Sequence, residues 1–249
     1  SQKSYNNLKK KLNMKKQPKV SFYNNLVYQK KNRYLKPKEN FKFLIQILKK
    51  NKITDNSKII DVGCSNGELL FNIKKEFKNC HLTGVDVDKN LIKKAKTMCS
   101  KTIIFKNKNI NQDNLNIGKY DLVIFSGILS IFSNGNKILK NLLKLTKKNG
   151  EIYIFDSLNE YPYNLHIKSE TTSGGGKQIL YKNMYSIDFI SKFFKKNKKK
   201  IKVYPFNLKV NLKKNNKNFM LGWTEFLSRK KVVTSGLSLI QKQYWLKIY

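Results

Sequence analysis

Apolar and polar positions alternate along this chain in two rhythms, and the change from one to the other marks its elements. Ile59, Ile60 and Val62 form a short β-branched run bounded by turn residues, the pattern of a buried parallel strand. From Glu68 the period lengthens to that of a helix, with Leu69, Leu70, Ile73 and Phe77 on one face and Lys74, Lys75 and Lys78 on the other. Residues 81–85 (HLTGV) read as a second strand ending at Asp86, and 89–99 as the helix that follows it. Three more strands are predicted over 102–106 (TIIFK), 120–129 (YDLVIFSGIL) and 150–156 (GEIYIFD). The helix between the last two spans 134–148, with Ile138, Leu139, Leu142, Leu143 and Leu145 as its apolar face. Strands alternating with helices predict an α/β, doubly wound architecture with a parallel sheet covered on both faces.

The flanks are less regular. Residues 1–19 are polar, rich in Lys and Asn, and read as disordered or loosely helical. Short helices follow as far as Pro37, and Tyr23, Tyr28 and Tyr34 read as packing residues. A firmer helix is expected over 40–50, capped by Asn40, with Phe41, Leu44, Ile45 and Leu48 on one face. Beyond Asp156 the periodicity lapses over 157–182, which reads as an irregular insertion whose SGGGK run (173–177) forms a flexible lid or hinge. Residues 184–194 return to helix with Ser186 as a cap, and 195–212 pass from lysines into an alternating strand. Residues 223–226 and 244–249 are expected to pair antiparallel and close the sheet.

The junction DVGCSNG (61–67) has a chemical use. Glycine lacks Cβ, so the backbone can approach a ligand closely while the helix N-terminus offers free N–H groups. Asp86 lies roughly 20 residues beyond the turn, where an acidic side chain can take both hydroxyls of a ribose. Two anchors at this separation point to a nucleoside. A dinucleotide site requires G-x-G-x-x-G, whereas only Gly63 and Gly67 are present here.

The spacing D-x-G-x-x-x-G resembles motif I of the class I S-adenosylmethionine-dependent methyltransferases, with Ser65 in place of the middle glycine. Asn109-Ile110 stands where that family has an acid or amide facing the adenine and an apolar cover for the ring. Ser126-Gly127-Ile128-Leu129 resembles the motif lining the methionine side, and the likeness extends over 58–156. It implies a Rossmann-like methyltransferase fold: a mostly parallel seven-stranded sheet, an N-terminal helical cap and antiparallel C-terminal strands. It also implies S-adenosyl-L-methionine as cofactor, held by Asp61, Gly63, Cys64, Ser65, Asn66, Gly67, Asp86, Val87, Asn109, Ile110, Ser126, Gly127 and Ile128. Arg33 is the residue expected to clamp the methionine carboxylate. The tail, with YKNMYSIDFI and PFNLKVNL, resembles the endings of bacterial methyltransferases of polysaccharide or lipid biosynthesis. A single domain is expected: a cap over 1–57, a cofactor core over 58–156, and acceptor-binding and closing segments over 157–249.

Composition changes this picture in three ways. The length of 249 residues and 40% apolar content suit one domain with its own core. Cys64, Cys80 and Cys99 are odd in number and widely spaced, and His81 and His166 do not join them at metal-ligand spacing, so reduced thiols, a cytoplasmic location and no metal are expected. No apolar run reaches the length of a membrane span, and no secretory signal is read at the N-terminus. The formal net charge of +37 reads either as a footprint for nucleic acid or as the product of lysine-rich codon usage. Arg33 and Arg229 are the only arginines, which favours the second, because arginine is the usual reader of bases.

An S-adenosylmethionine-dependent enzyme must hold its acceptor in line and exclude water. A general base helps an oxygen acceptor, and His166 is the candidate catalytic residue; Tyr181, Tyr185 and Asp156 are candidates for holding the acceptor. The expected acceptor is a small molecule or a sugar- or lipid-linked compound, with phosphate drawn by the lysines. Two alternatives remain open: an RNA methyltransferase using the basic surface, and a non-catalytic module that binds the cofactor.

Overall fold

The computed structural model describes residues 34–51, 53–113, 115–170, 179–214 and 222–249. Arg33, Tyr23, Tyr28 and the glycine run at 174–176 lie outside the described residues. Helix α1 spans Glu39–Lys50. Lys38 occupies its N-cap without a side-chain capping bond, so the expected cap, Asn40, lies inside the first turn and its amide is free for another task.

The chain then alternates as its apolar rhythm demands. Strand β1 (Lys58–Val62) leads to α2 (Glu68–Glu76), β2 (His81–Asp86) to α3 (Lys89–Met98), and β3 (Ile104–Asn107) to β4 (Tyr120–Ser126). A short 3-10 turn (Leu129–Ile131) and α4 (Gly135–Leu145) precede β5 (Thr146–Ser157). Helix α4 ends before Lys148 because Thr146 already pairs with Tyr120 as sheet, with a register shift before Leu122 meets Glu151. Gly150 lies in that stretch against Tyr120 O and Asp121 O, both 2.9 Å from where a Cβ would stand. A hairpin, β6 (Leu165–Glu170) and β7 (Ile179–Met184), is followed by α5 (Ile187–Lys196), β8 (Ile201–Phe206), β9 (Trp223–Leu227), β10 (Lys230–Thr234) and β11 (Gln243–Ile248).

Seven strands form one sheet in the order β3-β2-β1-β4-β5-β11-β8. β1 to β5 run parallel, while β11 is antiparallel to both β5 and β8. The two tail strands therefore do not pair as expected. Residues 223–227 form a separate hairpin with β10, and β8 is the partner that 243–248 takes at the sheet edge. The stretch 157–182 also departs from the irregular reading. Its β6 alternates half-buried and exposed positions and contains no fully buried residue, so no apolar run announces it.

Strand alternation divides the core. Ile59 faces α1 and α2, packed with Leu44, Leu48, Leu70 and Ile73; Ile60 and Val62 face the other way, onto Ile138, Leu142, Ile190 and Phe194. Helix α5 is capped by Ser186, whose hydroxyl accepts from Phe189 N at 3.0 Å. Cys64, Cys80 and Cys99 are free, buried thiols. Among the described residues no helix is long and apolar enough to cross a membrane, and no group of three or more acidic, His or Cys side chains is placed to hold a metal.

Candidate functional site

The strand order reverses between β1 and β4, which opens a crevice at the C-terminal ends of the parallel strands. The turn after Val62 fills the bottom of that crevice. Gly63 N and Cys64 N donate to Val85 O at 2.7 and 3.0 Å, and Gly67 N donates to Cys64 O at 2.9 Å. Gly63 and Gly67 both take left-handed backbone, φ +79° and +83°. A Cβ on Gly63 would stand 2.2 Å from Ile128 Cδ1, so the absent side chain makes room for the residue expected to line the methionine side.

Asp86 latches this turn to the next strand. Its Oδ2 accepts from Ser65 N at 2.8 Å and its Oδ1 from Asp88 N at 2.9 Å. Each carboxylate oxygen retains a second lone pair for a hydroxyl donor. Burial pushes the Asp86 carboxyl above the usual carboxylate range, against the pull of the Asp88 and Ser65 amides. Asn107 Nδ2 braces the loop by donating to Asp86 O and Val87 O, both at 2.8 Å. Val87 presents an exposed apolar side chain beside them. Asn109 accepts from Asn111 N at 2.9 Å, and buried Ile110 is fixed through its carbonyl by Asn141 Nδ2 at 2.7 Å.

Asp61 is buried on β1. Burial, reinforced by the charge of Asp86 and offset by Lys38, pushes its carboxyl up to about 7. On β4, Ser126 Oγ accepts from Asn40 Nδ2 at 3.5 Å, the use α1 makes of the residue expected to cap it. Gly127 N donates to Phe155 O at 2.7 Å, and nothing lies within 4 Å of where its Cβ would be. The Tyr34 ring packs edge-on against Phe71, as its reading as a packing residue requires, and its hydroxyl also donates to Asn66 O at 2.6 Å.

The turn itself carries polar atoms without protein partners. Asn66 is 1% exposed, and neither its amide nitrogen nor its amide oxygen meets a partner; buried Ser65 Oγ has none either. Buried polar groups are normally satisfied, so these atoms fit a turn that is completed by a polar ligand. The open backbone at Gly127 fits the same ligand from the opposite wall.

His166 sits apart from this cluster, exposed on β6. Its Nδ1 lies 2.6 Å from Asn183 Oδ1. Buried Asn183 in turn donates from Nδ2 to Ser130 O at 3.1 Å and Phe132 O at 2.9 Å, on the segment that follows Ser126-Gly127-Ile128. Tyr185 donates to Phe132 O at 2.6 Å and meets the His166 ring edge-on at 5.9 Å. Asp156, at the end of β5, accepts from Ser130 N and Ser157 N, and burial pushes its carboxyl up to about 6. Lys182 donates to Gln241 Oε1 at 2.9 Å, and burial holds its ammonium below the usual lysine range despite Asp156. Sequence reasoning missed Asn183, Asn141 and Lys182. Asn183 and Asn141 act through partners 51, 53 and 31 residues away, which no local pattern signals.

Glycine turn, ribose-spaced acid and reversed strand order define the class: a doubly wound protein with a nucleoside crevice at its topological switch point. The sequence model of the methyltransferase domain matches residues 53–219, and the chain belongs to that family, the class I S-adenosylmethionine-dependent methyltransferases. It is 38% identical over 121 residues to the carboxy-S-adenosyl-L-methionine synthase of Nautilia profundicola, over 49% of this chain and 47% of that one. It is 29% identical over 102 residues to a protein-lysine N-methyltransferase of Saccharomyces cerevisiae, over 39% and 44%. The chain spans about half the length of the curated relatives it matches. Among solved structures, YcgJ of Bacillus subtilis shares the fold with a TM-score of 0.57 at 10% identity, over 82% of this chain and 96% of that one. The glycopeptide N-methyltransferase MtfA, complexed with sinefungin, does so with a TM-score of 0.55 at 6% identity, over 85% and 87%.

Proposed function

We propose that this chain transfers a methyl group from S-adenosylmethionine to a small-molecule acceptor. The observation that carries the reading is the latch of Ser65 N on Asp86 Oδ2 at 2.8 Å, beside the unpartnered amide of Asn66. The residues that would hold the nucleoside are Asp86 and Val87 on one side, Asn109 and Ile110 on another, and Gly63, Cys64, Ser65, Asn66 and Gly67 beneath. Asp61, Ser126, Gly127 and Ile128 would face the amino-acid portion. When bound, the cofactor supplies an electrophilic methyl on a sulfonium. The chain has then to keep the acceptor in line, exclude water and take up any proton the acceptor loses. His166, on the hairpin tied to the segment after β4, is the group with the chemistry for the proton. The lysine-rich surface favours an acceptor that bears phosphate.

Isothermal titration tests the reading. S-adenosylmethionine and S-adenosylhomocysteine should each bind with a stoichiometry of one, and NAD should not. Asp86→Ala should weaken both by about 10- to 100-fold, as loss of charge-assisted hydrogen bonds does. Absence of heat with both sulfur compounds, or equal binding of NAD, would refute it.

A further inference from the structure

Asn183 has no freedom in how it presents its amide. Its side chain is 5% exposed, and its Nδ2 donates to two backbone carbonyls, Ser130 O and Phe132 O. Carbonyl oxygens only accept, so turning the amide over would set Oδ1 against both of them and leave a buried donor unpaired. Oδ1 is thereby fixed toward His166 Nδ1 at 2.6 Å. An amide oxygen also only accepts, so the hydrogen in that contact belongs to Nδ1. The neutral imidazole then carries its lone pair on Nε2. The edge of Tyr185, tied to Phe132 O by its own hydroxyl, stands against the ring and limits its rotation.

We infer that Asn183 is a positioning residue that holds His166 as the Nδ1–H tautomer, making Nε2 a ready proton acceptor for a methyl acceptor that must lose a proton. The assignment rests on the methyltransferase reading above. A carboxylate acceptor is already anionic and has no proton to give; an alcohol, a phenol or an ammonium must lose one. With a hydroxyl acceptor, the hydroxyl proton passes to Nε2 as the new C–O bond forms, and the S–C bond breaks with its electron pair on sulfur. The products are an ether, a neutral thioether and an imidazolium, which returns its proton to water. The imidazolium keeps its Nδ1–H on Asn183 Oδ1, a bond that strengthens as the ring gains charge. The second link is mechanical: Ser130, which accepts from Asn183, also donates its N–H to Asp156 Oδ2 at 3.0 Å. The base is thus fastened to the ends of β4 and β5 and not to a free hairpin.

The tautomer is readable without cofactor or acceptor. The chain holds two histidines, so long-range proton–nitrogen NMR with a His81→Gln control assigns His166 directly. At alkaline pH, wild type should show a protonated-type Nδ1 and an unprotonated-type Nε2. Asn183→Leu should move the ring toward the Nε2–H form. An Nε2–H ring in wild type, or an unchanged signature in a folded Asn183→Leu, overturns the positioning role; the wild-type spectrum decides even if that variant does not fold. For the acceptor, protein is incubated with methyl-labelled S-adenosylmethionine and a small-molecule extract of the source cells. Label stable to alkaline hydrolysis, and reduced about 100-fold or more in His166→Ala, is expected of base-assisted transfer to oxygen or nitrogen. Alkali-labile label marks a carboxylate ester and overturns the assignment, as does label independent of His166. Failure of cofactor binding in calorimetry would strike the methyltransferase reading alone and leave the tautomer result standing.

Discussion

Replacing Gly67 with alanine imposes two costs that can be separated. The first is backbone: φ at Gly67 is +83°, and a side chain in left-handed conformation costs about 1–2 kcal/mol. The second is space. The new Cβ would stand 2.8 Å from Phe105 Cζ and 2.9 Å from Cys99 Sγ, both on buried side chains. Overpacking of this kind costs about 1–3 kcal/mol, for a sum of about 2–5 kcal/mol. Gly118 isolates the first cost, because its φ is +90° and nothing lies within 4 Å of its Cβ position. Gly118→Ala should therefore lose only about 1–2 kcal/mol. Urea unfolding of the two variants gives the difference, expected at about 1–3 kcal/mol, with a melting temperature lower by about 2–4 °C per kcal/mol for a chain of this size. Cys99→Ala in the Gly67→Ala background should return part of the loss by removing one of the two obstacles. Equal costs at Gly67 and Gly118 would refute the argument that the turn is pressed against Phe105 and Cys99.

Two further outcomes follow from single groups. Asp61 keeps its proton in the fold up to about pH 7, whereas an unfolded aspartate loses it near the ordinary value of 3.8. The folded state therefore holds more protons across that window, and stability should rise as pH falls from 8 to 5.5, by ~2 kcal/mol from this group. Thermal melts should show the rise, and Asp61→Asn should flatten it; an unchanged pH dependence in that variant would be the contrary result. Tyr34→Phe removes the hydroxyl that donates to Asn66 O, and should cost about 0.5–1.5 kcal/mol in urea unfolding. It should also weaken S-adenosylmethionine binding in calorimetry, because Asn66 belongs to the same turn; full affinity would separate the α1 side of the molecule from the site.

The parts of this fold written locally were legible. Strands β1, β2, β4 and β5 announce themselves because each carries a run of residues buried on both faces, whereas edge strand β3 buries only Phe105; the glycine turn is legible because positive φ restricts the residue type. Partner choice among the tail strands was not legible, since Trp223–Leu227 and Gln243–Ile248 have similar composition and only packing decides which joins β8. The β6–β7 hairpin was hidden because neither face of β6 is fully buried, although this hairpin carries His166. At the site, the positions of Gly63, Gly67 and Asp86 could be read from spacing. The second oxygen of Asp86, held by Asp88 N, and the amide of Asn183 could not, since their roles lie in backbone partners that leave no trace in residue type.

The place of β11 has a consequence for synthesis. It lies between β5 and β8, yet it is the last of these three to leave the ribosome. From the appearance of residue 157 until residue 243, the outer backbone of β5, with Ile152 and Ile154 alternating beside it, has no neighbour to bind. At about 5–20 residues per second this naked margin persists for roughly 5–20 s. Nascent chains on one message are thus open to cross-pairing during that interval, and a holdase acting on residues 146–157 would raise the yield of monomer more than one acting anywhere else in the sheet.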